Sequence, residues 1–175
     1  MLIVFSLACG FAAPVAAADT PIPQSLIEQG LKNSDCAATY EQATEHLDPP
    51  HDLGEGKLLQ EFLCRKEDYQ YSGILFAYDE AQPGNARLQV FSFPKIRGFE
   101  SKHSLTSPEF DAKEKMMTSF DKGRKNSVCG SAGEWKWSGR EFVLTRYWLK
   151  VDCNRGRFDP KRRPDEWLIY PKKKK

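Results

Sequence analysis

The sequence contains no CxxC pair, so a thioredoxin-like redox site and a zinc knuckle both lack a basis. HExxH and GxSxG are absent too, which removes the local signatures of the zinc-dependent and serine hydrolases. There are only three histidines, His46, His51 and His103. The nearest grouping for a metal is His46 with His51 and Asp52, but exposed polar residues around a helix end explain it better, and neither a metal nor a cofactor is expected. His103-Ser104 supplies two residue types of a catalytic triad without the third. Glu41 and Glu45 share a helical face and read as solvated surface. Internal repeats and low-complexity linkers are missing, and no apolar run reaches the ~20 residues of a membrane-spanning helix, so no transmembrane span is expected.

The first 18 residues, MLIVFSLACGFAAPVAAA, carry no charge, and Ala16-Ala17-Ala18 offers the small residues that signal peptidase requires before Asp19. The usual positive n-region is missing, and Gly10 and Pro14 interrupt the apolar run. The expected organisation is a signal peptide over residues 1–18 and a single exported domain over 19–175, periplasmic or secreted, with a basic C-terminal tail. Cys9 would leave with the leader. Four cysteines remain: Cys36, Cys64, Cys129 and Cys153. An even count in an exported chain favours two disulfides, and sequence alone permits three pairings. Pairing neighbours, Cys36–Cys64 and Cys129–Cys153, closes two local loops and is the favoured arrangement.

Hydropathy patterning predicts one helix and then strands. Residues 21–33 read as a lead-in with a helical turn that Gly30 weakens. The clearer helix is 35–47, capped by Ser34 or Asp35, with Cys36, Tyr40, Ala43 and Leu47 on one face and Pro49-Pro50 beyond its end. Strands are expected at 58–64, 69–78 and 86–93, with Pro83-Gly84-Asn85 as a turn. Residues 94–113 read as a long surface connection with one short strand, and 114–120 as a strand or helical turn. The strongest signal is 134–153, where Trp135 and Trp137 alternate before Ser138-Gly139. The returning strand then places Phe142, Leu144 and Trp148 on one face, and Val143, Tyr147, Leu149 and Val151 on the other. A final edge strand is expected at 167–170. The fold class is α+β, an N-terminal helix followed by a mainly antiparallel β domain with two disulfides.

Charge is unevenly placed. Residues 154–175 hold nine Arg or Lys against three Asp or Glu, a local charge of +6, and the rest of the mature chain sums to −4. That asymmetry suits anionic envelope polymers, lipid headgroups or an acidic envelope protein. Nucleic acid is not an expected partner, because export removes the usual target and no compact recognition motif is present. The candidate binding residues are the loop Lys122, Gly123, Arg124 and Lys125, where glycine permits a close turn and the cations could receive a carboxylate or phosphate, together with Trp135 and Trp137 as an aromatic platform. Alternation along the strand favours the core for at least part of the tryptophan set. An ordinary charged connection is the plain reading of the loop.

Residues 58–170 resemble the C-terminal part of an uncharacterised proteobacterial exported family, domain of unknown function 1176. The resemblance rests on Cys64 followed by Tyr69-Gln70-Tyr71-Ser72, on Pro108-Glu109-Phe110-Asp111, and on Ser119-Phe120-Asp121-Lys122-Gly123-Arg124. It continues through Cys129-Gly130, Trp135-Lys136-Trp137-Ser138-Gly139 with Phe142, Cys153 and Trp167. It implies export and the same two cysteine pairs, and it carries no catalytic residues. The chain departs from the family pattern between Arg124 and Cys129, where Lys125, Asn126 and Val128 stand in place of glycines and an acidic residue. The leading expectation is a non-enzymatic binding or accessory protein, with an inhibitor of an envelope or secreted hydrolase, or a small periplasmic hydrolase, as alternatives.

Overall fold

The computed structural model describes residues 20–34, 36–123, 128–154, 156–159, 162 and 165–171. Two helices come first, α1 (Gln24–Asn33) and α2 (Tyr40–Thr44). The helical signal therefore falls earlier than expected. Gly30 does not end α1; it is buried there because the Phe76 ring approaches so closely that a Cβ at this position would lie 2.4 Å from Phe76 Cζ. Ser34, expected to start the second helix, closes the first by donating its hydroxyl to Gly30 O at 2.6 Å. Asp35 lies outside the described residues. The second helix begins only at Tyr40, under a capping box in which the Thr39 hydroxyl and Gln42 satisfy each other's backbone N–H groups. Residues 36–38 are withheld from it because Cys36 is bonded to Cys64 and Ala38 N donates to Cys64 O.

Strands β1 (His51–Gly54), β2 (Lys57–Lys66), β3 (Tyr71–Asp79) and β4 (Gln82–Leu88) form an antiparallel meander. A two-stranded ribbon follows, β5 (Phe91–Pro94) with β6 (Phe99–Lys102), and β7 (Ser104–Thr106) returns to pair with the start of β3. The second sheet is built from β8 (Glu109–Asp111), β9 (Met116–Lys122), β10 (Gly130–Trp137), β11 (Phe142–Lys150) and β12 (Leu168–Tyr170), in the order β12-β11-β10-β9-β8. Residues 86–93, read as one strand, are divided between β4 and β5. Pro83-Gly84-Asn85 lies inside β4, a position open to proline because β4 is at the sheet edge. The connection 94–113 carries three short strands rather than one.

The two sheets face each other across a core that joins Leu59, Leu75 and Ala77 of the first to Met117, Trp135 and Phe142 of the second, with Phe91 and Leu105 between. The other face of the first sheet, Phe62, Ile74 and Phe76, is covered by Ile27 and Leu31 of α1. The other face of the second sheet, Ala132 and Trp148, is covered by Phe158 and Trp167. A β-bulge opposite Glu134/Trp135 inserts one residue in β11 and reverses its alternation. Tyr147 consequently joins Phe142 and Leu144 in the inter-sheet core, and Trp148 turns to the opposite face, the reverse of the expected assignment. The disulfides are Cys36–Cys64, tying the helical layer to β2, and Cys129–Cys153, closing the base of the β10–β11 hairpin.

Candidate functional site

Hydroxyl-bearing side chains gather where the ends of the two sheets and the ribbon meet. A polar cleft of about 660 Å³ opens between the end of α1, the end of β2, the start of β3 and the β6–β7 connection; Arg65, Tyr71, Ser72, Ser101, Lys102 and His103 line it. A smaller, more enclosed chamber of about 120 Å³ lies among Ser119, Asp121, Ser131 and Tyr147 of the second sheet and Phe93 of the ribbon. Lys102, Ser104 and Thr106 line both spaces, so the chamber lies next to the cleft with these three residues as their common wall.

Backbone alternation explains this clustering. Ser104 and Thr106 flank the buried Leu105 on a strand of three residues, so both must turn away from the apolar core. Ser119 is buried on β9 and donates to Thr106 O at 2.7 Å, a bond that joins the sheets at the chamber wall. Lys102 stands at the junction, its Nζ 3.8 Å from Glu100 Oε1 and 5.3 Å from the centre of the Phe93 ring. Glu100 remains a carboxylate: its hydrogen bond with Lys95 holds its pKa below the ordinary value. Burial pushes the Tyr147 hydroxyl up, a hydrogen bond with Ser131 opposes that, and the charges of Asp121 and Glu100 add to the rise, so Tyr147 stays protonated and able to donate.

Tyr71, at the cleft wall, is pushed up to about 12, first by burial and then by the neighbouring Glu61 carboxylate. Its one hydroxyl proton has two acceptors within reach, Pro108 O at 3.2 Å and the Glu61 carboxylate. Behind it, burial and the charge of Asp48 raise Glu61 to about 7, against the hydrogen bond with Tyr71. Burial with an acidic neighbour perturbs this pair; Tyr71 stands in the Tyr69-Gln70-Tyr71-Ser72 segment that carries the resemblance, and Glu61 carries no sequence signal. His103 directs Nδ1 to Gln89 O at 3.1 Å, which, with the proton on Nδ1, leaves Nε2 as the acceptor. His46 is exposed beside Glu45, and His51 packs against Phe110 at 5.3 Å. Among the described residues, no cluster of three or more His, Cys, Asp or Glu could hold a metal ion.

The basic loop reaches the rim of this cleft. Lys122 donates its backbone N–H to Gln70 Oε1 at 3.0 Å and its ammonium to Tyr69 O at 3.0 Å, and Gln70 itself lines the cleft. Gly123 is exposed and donates to Cys129 O at 3.1 Å. Arg124 and Lys125 lie outside the described residues. Trp135 and Trp137 do not join the loop: Trp135 is fully buried and Trp137 nearly so, which sets the aromatic platform aside. Two-residue periodicity points both indoles inward, where Trp135 donates Nε1–H to Ser92 O at 3.0 Å and Trp137 packs on Phe142 at 5.1 Å. Ser72 and Gly73 lie within β3, with Gly73 buried.

The fold and cleft define a disulfide-clipped domain of two facing antiparallel sheets, with a hydroxyl-rich opening at their junction. The chain belongs to the family described as Protein of unknown function (DUF1176), whose model matches residues 11–168. The relationship thus covers most of the chain, the helices and first strands included, and not only the C-terminal part in which it was first legible. A relative is the uncharacterized protein YpfG of Escherichia coli (strain K12), 27% identical over 116 residues, or 66% of this chain. The chain spans about a third of that relative's length, 32%. No solved structure matches. Two disulfides, and the lack among the described residues of any helix long and apolar enough to cross a membrane, are compatible with an exported protein.

Proposed function

We propose that this is a non-enzymatic binding protein of the bacterial envelope, periplasmic or secreted, that takes a polar, anion-bearing glycan into the cleft between its sheets. The carrying observation is the polar cleft itself, with Lys102, Ser104 and Thr106 on the wall it shares with the inter-sheet chamber. Serine, threonine and tyrosine hydroxyls both donate and accept, as a polyol requires, and Lys102 and Arg65 offer cations to its acidic groups. Lys122 adds positive charge at the rim. Carboxylated and phosphorylated glycan fragments, with neutral ones as controls, are to be titrated calorimetrically into residues 19–175. Saturable binding lost in a folded Ser104→Trp variant supports the reading. Unchanged affinity in that variant, or no binding by any fragment, overturns it.

A hydrolase is the second reading, favoured by one observation: the backbone of Gln89 orients His103 in a cleft that also holds Ser101 and Ser104. It requires turnover of a bound fragment that His103→Asn abolishes while binding persists.

A further inference from the structure

The β5–β6 ribbon ends in a tip whose composition differs from the rest of the surface. Ile96 is 100% exposed and Phe99 is 56% exposed. Lys95 and Arg97 stand on either side of Ile96 in the chain. Phe99 meets Tyr170 edge-on at 5.5 Å, and between the tip and β12 runs a mainly apolar groove of about 870 Å³, floored by Leu149 and Ile169. Val151, just past the end of β11, is 79% exposed. Glu100 pairs with Lys95 at 2.6 Å, which leaves Arg97 as the cation of the tip that forms no ion pair among the described residues. Four lysines, residues 172–175, follow Pro171 directly after the strand that carries Tyr170.

Ile96 packs in none of the described cores, and together with Phe99, Tyr170 and the adjoining groove it makes a contiguous apolar surface rather than one isolated exposed side chain. Apolar side chains that project beyond flanking basic residues match the layered chemistry of an anionic bilayer surface: hydrocarbon below, phosphates above, and an interfacial tyrosine between them. From these features we infer that the ribbon tip docks on an anionic phospholipid surface, inserting Ile96 and Phe99 while Arg97 meets phosphates and Lys95 stays paired with Glu100. The surface is separate from the polar cleft, so the inference stands whether or not the cleft binds a glycan.

The test is co-sedimentation with vesicles of equal parts phosphatidylglycerol and phosphatidylcholine, compared with phosphatidylcholine alone. Residues 1–18 are omitted because their apolar run would itself partition into lipid; every helix and strand among the described residues, and both disulfides, lie within residues 24–170. Binding is expected only to the anionic vesicles, weakened by salt. Ile96→Asp should lower the partition coefficient by roughly tenfold or more, the effect of exposing one large apolar side chain. Far-ultraviolet circular dichroism verifies that the variant is folded. Equal binding by the Ile96→Asp and Phe99→Asp variants, or binding removed only by deleting residues 172–175, overturns the inference. So does failure to bind anionic vesicles at low salt. Self-association lost in Ile96→Asp, with no vesicle binding, would overturn it and assign the groove to a second copy of the chain.

Discussion

Glu61 occupies space that Gly73 leaves open: a Cβ on Gly73 would lie 2.4 Å from Glu61 Oε1. The two residues are diagonal neighbours on the inner face of the first sheet, where Glu61 pairs with Leu75 and Gly73 with Leu63. An acid is thus held among core side chains, and burial is the main cause of its raised pKa.

The first prediction concerns pH. With a folded pKa of about 7 against an ordinary 4.5, Glu61 binds its proton more tightly in the folded state. Its contribution to stability is fully present below pH ~4.5 and is lost as pH rises through ~7. Glu61→Gln, which has no charge to bury, should match the wild type near pH 4 and exceed it by about 3 kcal/mol at pH 8 as an upper bound. Urea denaturation across that range is the measurement, and parallel wild-type and variant curves would refute it.

A second prediction uses the same contact. Gly73→Ala should cost about 1–3 kcal/mol through overpacking against Glu61. In a Glu61→Ala background the penalty should largely disappear, so the double-mutant cycle returns a large coupling. A penalty that persists unchanged would place the clash elsewhere.

Lys150 is buried at the base of the second sheet, with its ammonium on Val128 O and Asp152 O and 5.6 Å from the Trp167 ring. Lys150→Met keeps the apolar stem and removes the donors. It should cost about 1.5–3 kcal/mol, the range for hydrogen bonds made by charged groups, as read from the urea midpoint. A change within error would mean that water replaces the ammonium there.

Trp135→Phe removes the bond to Ser92 O and shrinks a fully buried side chain that packs on Phe91 and Phe93. The combined loss should be about 2–4 kcal/mol. Because that bond links the second sheet to the ribbon, amide exchange should speed up first in β5 and β6. Uniform acceleration would deny the ribbon any local dependence on Trp135.

The sequence pattern made the β10–β11 hairpin legible because alternating tryptophans and Ser138-Gly139 are strictly local signals. The cysteine pairs were legible for a related reason, their proximity along the chain. Elsewhere the deciding event was distant: Phe76 makes Gly30 a helix residue, the Cys64 bond delays α2, and one extra residue near Thr145 exchanges the faces of Tyr147 and Trp148. The cleft as a whole was not legible, although His103-Ser104 and Lys122 were singled out separately. Its hydroxyls come from segments around residues 71, 104, 119, 131 and 147, each an ordinary polar position until the sheets close. Of the expected binding residues, Lys122 reaches the rim and the two indoles turn inward because both share one strand face.

Both disulfides join cysteines that are consecutive in the sequence. With Cys9 removed in the leader that the proposed export requires, an oxidant that couples thiols in their order of emergence makes Cys36–Cys64 before Glu109, the first residue of the second sheet, has arrived, and Cys129–Cys153 afterwards. The native pairing is then also the earliest pairing, so maturation of this domain should proceed at full yield in cells that have a thiol oxidase but lack a disulfide-shuffling enzyme.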